Sequence, residues 1–290
     1  LANLKGIGLV NLATLTWATN MALGRWLRDD IGPLTLAASR FLIAAALYSM
    51  MLQRVPEEER RLGPQRWLLL AMGLAGVAVF GPTLYLGLRY TTAVNATLIN
   101  GFGPLITGVL ASLLIREPMS RRQVVGATVG LIGVLVLISE GSLAVWHVIR
   151  TSVGDLIVLA AVTVWALYSV LGRRVMRGRS ALSATALSSL LGLPFLLAAA
   201  AVEVQAIPVD LRPQLVLVII YIAIFPTVIG ILSWNEGVRL LGPSGAMVFY
   251  NTLPLYGVLL GCLFLGESLG LVHLVGGTLI IGGGIWAARG

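Results

Sequence analysis

The chain has 290 residues, of which 58% are hydrophobic and 11% charged, with a net charge of +8 and a mean hydropathy of +0.93. Globular chains normally carry about 25% charged residues, so the composition excludes a soluble enzyme domain and points to a lipid bilayer as solvent. One cysteine, Cys262, and two distant histidines, His147 and His273, exclude a disulfide framework and supply no metal-ligand cluster.

Runs of roughly 20 apolar residues match a hydrocarbon core about 30 Å thick. Ten such spans are predicted, near residues 4–24, 34–53, 67–88, 92–115, 122–139, 154–173, 182–203, 213–238, 243–266 and 270–288. They are expected to be helices, because open strand edges leave unpaired backbone in lipid. The ten-residue alternation of a membrane barrel is absent.

Span one carries Thr14, Trp17 and Met21 on one helical face, with Asn20 beside them. No small-residue cleavage site follows it, so it is read as an integral element rather than a secretory signal. Span two holds Arg40, which either snorkels and pairs structurally or meets a carboxylate in a cavity. The longest polar stretch, QRVPEEERRLGPQR, follows at residues 53–66. Tyr85 lies in span three. Asn95 and Asn100 lie in span four, which Pro104 interrupts and Arg116-Glu117 close. Glu117 is expected to pair locally with Arg121 or Arg122.

In the second part of the chain, Trp165 and Tyr168 lie in span six and Asn235 in span eight. Tyr250, Asn251, Pro254 and Tyr256 lie in span nine. Polar side chains at membrane depth are costly unless paired or facing water, so these residues are expected to point inward. Trp17, Asn20, Tyr85, Asn95, Asn100, Trp165, Tyr168, Asn235, Tyr250, Asn251 and Tyr256 form the candidate substrate-binding set. Its aromatic members are suited to stack on an aromatic cargo. Trp26, Trp67, Trp146 and Trp286 sit at span ends and read as interfacial anchors. Glycine-rich runs in spans five and ten, with Gly126 and Gly130 four apart, predict close helix packing.

The basic charge follows the membrane topology rather than a nucleic-acid partner. With the N-terminus inside, 14 Lys and Arg fall on the inner side and 5, namely Arg25, Arg28, Arg89, Arg150 and Arg212, on the outer side. This positive-inside pattern predicts cytoplasmic termini.

The chain also repeats itself. At an offset of 148, Trp17, Gly24 and Arg25 fall on Trp165, Gly172 and Arg173. At an offset of 150, Pro104 falls on Pro254 and Glu117 on Glu267, and VGATVGLIG at 125–133 meets VGGTLIIGG at 275–283. Two units, 1–145 and 146–290, thus hold five spans each. An odd number forces the second copy to insert upside down, and interrupted helices at matching places point to a midplane binding site. Pro104 and Pro254 are the predicted helix breaks.

Ten spans, the five-plus-five repeat, the run SRFLIAAAL in span two and the Pro104…Arg116-Glu117-Pro118 ending of span four resemble the drug/metabolite transporter superfamily. Within it the chain resembles the EamA-type permeases, and more narrowly the YddG-like exporters of aromatic and other neutral amino acids. The resemblance covers residues 4 to 288. It implies an all-α integral membrane protein of the bacterial inner membrane, working by alternating access on a small-molecule substrate. It further implies no catalytic residues, cofactor or metal, no partner beyond substrate and bilayer, and a functional monomer.

The first span, NLATLTWATNMALG, lacks the embedded Glu of four-helix multidrug relatives. All the acidic residues fall in loops or near span ends, so no midplane carboxylate is available as a proton relay. Phosphate-bearing cargo would call for several buried Lys or Arg, and only Arg40 qualifies. A small neutral or zwitterionic metabolite fits better. The alternatives are another small metabolite (a sugar phosphate, a nucleotide precursor or a drug) and a channel-like facilitator or non-transporting scaffold.

Overall fold

The computed structural model describes residues 2–27, 29–91, 96, 99–139, 152–207, 209, 212–265 and 270–288. Every regular element among these residues is helical. The first part holds α1 (Ala2–Trp26), α2 (Pro33–Leu52), α3 (Arg66–Gly73), α4 (Phe80–Tyr90), α5 (Gly103–Ile115) and α6 (Arg121–Ser139). The second holds α7 (Val153–Val175), α8 (Ala181–Ala206), α9 (Pro213–Ile222), α10 (Ile231–Val248), α11 (Thr252–Leu265) and α12 (Leu271–Ala288).

Among the described residues, six stretches are long and apolar enough to cross a membrane, and Ile99–Ile115 is a shorter apolar helix. One of the six, Pro213–Leu260, has 48 residues, which at 1.5 Å per residue is roughly 72 Å, about twice what a hydrocarbon core needs. The chain breaks it at Gly242, whose φ of 76° and ψ of 162° are open to glycine alone, with Pro243 directly behind. That break lies at the boundary expected between residues 238 and 243.

Two wide π-helical segments, Leu74–Val79 between α3 and α4 and Ala223–Gly230 between α9 and α10, have a common cause. Proline lacks an N–H, and its ring collides with the carbonyl four residues back. Pro82 follows the first segment and Pro226 sits in the second. A wider turn relieves the collision and frees carbonyls. In the second segment those carbonyls find side chains. The Thr227 hydroxyl donates to Ile222 O at 2.8 Å, Trp17 Nε1 to Pro226 O at 2.9 Å, and the Tyr48 hydroxyl to Thr227 O at 2.8 Å.

The most extensive seam joins α6 to α12. A Cβ added at Gly126 would stand 2.4 Å from Gly283 O, and one added at Gly133 would stand 2.7 Å from Gly276 O. Small residues let two backbones touch where lipid supplies no hydrophobic drive, as the glycine runs predicted. The 150-residue offset sends Gly126 to Gly276 and Gly133 to Gly283, so it exchanges the two contacts.

Helices α2 and α8 pack together, and a carboxylate from another element closes the start of each. Glu203, near the end of α8, accepts from the Leu34 and Thr35 N–H groups at 3.1 and 2.7 Å. Glu59 in turn accepts from the Ser180 N–H at 2.8 Å, in front of α8. Each carboxylate meets orphan amides and the positive end of a helix dipole. Helix α1 packs on α10 and α11, and α7 packs on α4 and α5. A central space is left between these two sets.

The predicted breaks are refined in place. Pro104 is the second residue of α5, directly after a turn at Phe102, and Pro254 is the third residue of α11, after a tight turn over Phe249–Asn251. First-turn N–H groups have no partner within the helix, so both prolines start helices, and the interruptions lie on their N-terminal sides.

Candidate substrate cavity

The central space is lined by side chains of both parts of the chain. Trp17, Asn20 and Met21 come from α1, Arg40 from α2, and Phe80, Leu84 and Tyr85 from α4. Trp165 comes from α7, Pro226 from the second π segment, Ile231 from α10, and Tyr250 and Leu253 from the turn into α11. The space between these side chains, its open mouth included, amounts to about 510 Å³.

Aromatic rings make the wall. Trp17 meets Trp165 edge-on at 5.0 Å and Trp234 at 5.3 Å, and Phe80 lies 4.6 Å from Trp165. Tyr250 stands 5.8 Å from Trp234. Tyr168 stacks behind Trp165 at 4.9 Å. These separations are those of offset and edge-to-face pairs, so the rings hold one another in place while leaving a face open to the cavity. Trp17 is fixed further by its bond to Pro226 O. Trp234 is fixed by donating to Ser169 Oγ at 3.0 Å.

Of the expected set, Trp17, Asn20, Tyr85, Trp165 and Tyr250 line the cavity, and so does Arg40. The Tyr85 hydroxyl donates to Asn20 Oδ1 at 3.1 Å. Tyr168 and Asn235 stand one layer behind, where Asn235 Nδ2 donates to the Tyr168 hydroxyl at 2.6 Å and to Thr185 Oγ1 at 2.7 Å. Asn100 Nδ2 donates to Ala96 O, four residues back, at 2.8 Å. The Tyr256 hydroxyl donates to Asn11 Oδ1 at 2.9 Å. Asn251 is buried against α6, a Cβ at Gly130 falling 2.9 Å from its Nδ2. Asn95 lies outside the described residues.

Trp234, fully buried in the middle of the ring cluster, escaped the sequence reading, as did Phe80. Their signal was present: Trp234 sits in mid-run, away from any span end, and directly precedes Asn235. Of the tryptophans read as interfacial anchors, Trp26, Trp67 and Trp286 are exposed; Trp146 lies outside the described residues.

A smaller cavity of about 330 Å³ adjoins the central one, lined by Gly24, Ile31, Pro33, Leu36, Leu88, Arg89 and again Tyr85. Tyr85 therefore stands between the two spaces. The opposite end of the molecule is tied by charge. Arg116 turns the chain in the left-handed region, φ 57°, and Glu117 then accepts from Arg173 Nε at 3.3 Å and Arg177 Nη2 at 2.8 Å. These partners from beyond residue 170 replace the local Arg121 or Arg122. Arg173 also donates to Arg239 O at 2.5 Å, which joins α7 to α10.

The EamA-like transporter family matches residues 4–139 and 152–288. The chain belongs to that family. It is a multi-pass membrane transporter of the drug/metabolite superfamily, not an enzyme. The transporter is 30% identical to an uncharacterized transporter, YyaM, of Bacillus subtilis, over 97% of this chain and 92% of that one. It is 26% identical to a Salmonella typhimurium protein named a probable amino-acid metabolite efflux pump, over 95% of this chain and 92% of that one. A crystal structure with 22% identity superposes with a TM-score of 0.79, covering 99% of this chain and 96% of its own. This last likeness speaks for the fold alone.

Proposed function

We propose that this transporter exports small metabolites, aromatic and other neutral amino acids foremost, by alternating access around the central cavity. The observation that carries this reading is the aromatic wall, built jointly by Trp17 and Phe80 on one side and Trp165, Trp234 and Tyr250 on the other. Such a wall suits an apolar or aromatic side chain. The name of the Salmonella relative agrees with it.

The same reading takes the chain as ten crossings in two inverted halves, 1–145 and 146–290. Support comes from the exchanged glycine contacts of α6 and α12, the π segment in each half and the paired family match. It places both termini in the cytoplasm of a bacterial inner membrane, with the Glu117 ion pairs on the inner side and the smaller cavity toward the outside. A monomer holding one substrate, with no cofactor, metal or nucleic acid, suffices for this mechanism.

Counterflow of labelled neutral amino acids in proteoliposomes tests it. Exchange of phenylalanine or tryptophan without an imposed proton gradient is the expected result. No counterflow of any neutral amino acid would remove the substrate assignment and leave the family intact.

A further inference from the structure

We propose that Arg40 is the carboxylate anchor of the cavity, so that the cargo is selected by a carboxylate at one end and an apolar or aromatic group at the other. The inference rests on reading the central cavity as the substrate site, and it narrows the class of molecule that fits.

A charged side chain in a membrane interior is rare and normally pairs or faces a water-filled cavity. Arg40 is buried, with 6% of its surface exposed, and lines the cavity. Its guanidinium lies 5.1 Å from the Phe41 ring and 5.5 Å from the Tyr85 ring. Flat guanidinium groups stack on such faces and keep their in-plane donors free. No hydrogen bond or ion pair engages Arg40 among the described residues, and its Nε is buried without a partner.

Three carboxylates near helix ends are engaged elsewhere. Glu203, near the far end of α8, caps the start of α2; Glu236 pairs with Arg239 and Lys5; Glu117 pairs with Arg173 and Arg177. A buried cation left without its counter-ion is costly, and a bound carboxylate removes the cost by taking two donors of the fork at once. Trp165 Nε1 is a second buried donor of the same cavity without a partner. One carboxylate has two oxygens with several lone pairs to offer the guanidinium. The aromatic wall then receives the rest of the molecule.

Calorimetric titration of the full chain in lipid nanodiscs separates the parts of this proposal. The ligands are L-phenylalanine, L-phenylalaninamide, which keeps the ammonium and the ring, and 3-phenylpropanoate, which keeps the carboxylate and the ring. The two carboxylates should bind the native protein roughly tenfold or more tighter than the amide, as a charge-assisted pair requires. Arg40→Gln should abolish that preference by weakening the carboxylates and leaving the amide within about twofold. Arg40→Lys should retain part of it, since charge remains and the fork is lost.

Gly81→Ala is a milder probe, because its Cβ would stand 3.0 Å from Arg40 Nη2 and push the guanidinium aside. It should weaken carboxylates severalfold even if Arg40→Gln fails to fold. Full carboxylate preference in both Arg40→Lys and Gly81→Ala, or in Arg40→Gln, overturns the proposal, as does a native protein that binds no carboxylate more tightly than the amide. Binding of 3-phenylpropanoate that depends on Arg40, with no binding of phenylalanine, would sustain the anchor and remove the amino-acid reading.

Discussion

The glycine seam between α6 and α12 and the aromatic cavity are built from equally apolar stretches, yet they solve opposite problems. At the seam, Gly126 and Gly133 bring their backbones against Gly283 and Gly276 until no room for a methyl group remains. In the cavity, Trp17, Trp165 and Trp234 touch one another at 5.0 to 5.7 Å and still leave a space into which Arg40 points no bonded partner. Large rings cannot close-pack around a common centre as small residues can. Packing at interior density tolerates no added volume, whereas a cavity loses a contact and keeps its fold.

The largest effect should therefore appear at the seam. Gly126→Val sets a branched side chain against Gly283 O, and backbone cannot swing aside as a flexible side chain can. Overpacking of this kind costs about 1–3 kcal/mol, so the variant should lose much of its monodisperse yield on size exclusion. Gly282→Ala, where nothing lies within 4 Å, should behave as the native chain. Equal yields of the two variants would deny the seam its role.

A smaller effect belongs to the cavity. Trp17→Ala should leave folded yield largely intact and weaken an aromatic ligand by about 1 kcal/mol, the worth of a ring contact. Trp67→Ala, at a ring 68% exposed, should leave ligand affinity unchanged. Titration with phenylalanine reads both; equal loss in the two would show that tryptophan content rather than position matters.

The smallest effect concerns the end tied by the Glu117 ion pairs. Glu117 and its two arginines are partly exposed, with 30% of the Glu117 side chain open, so their pairing contributes about 1 kcal/mol or less. Glu117→Gln should shift the transporter toward the state open at that end. A Cys replacing Ser244, two residues beyond Gly242, whose added Cβ would lie 3.7 Å from Glu117 Oε2, reports it once Cys262 is removed. Faster thiol labelling is expected, and an unchanged rate would mean that helix packing alone holds this end shut.

How far the sequence led differs between elements. Apolar helices, the seam glycines and the exposed tryptophans at run ends follow from composition, spacing and position, because lipid demands internally bonded helices of a set length. The cavity residues Trp17, Asn20, Arg40, Tyr85, Trp165 and Tyr250 were legible as polar or aromatic groups at membrane depth, where burial without purpose is costly. Asn100 and Tyr256 satisfied the same rule and yet turn to Ala96 O and Asn11 Oδ1. Depth sets the requirement for a partner, and the sequence does not say which partner meets it.

By itself, then, the sequence determined that the chain is helical, where its apolar runs lie, and which glycines would be squeezed. These are local properties, fixed by the period of the helix and the thickness of the bilayer. Tertiary structure alone decided that Trp234 and Phe80 complete the ring cluster, that Glu117 bypasses its neighbours for Arg173 and Arg177, and that Arg40 ends in the cavity without a carboxylate of its own. Each of those outcomes depends on how helices distant in sequence rotate against one another. That rotation is set by the joint packing of all their faces, which no single stretch contains.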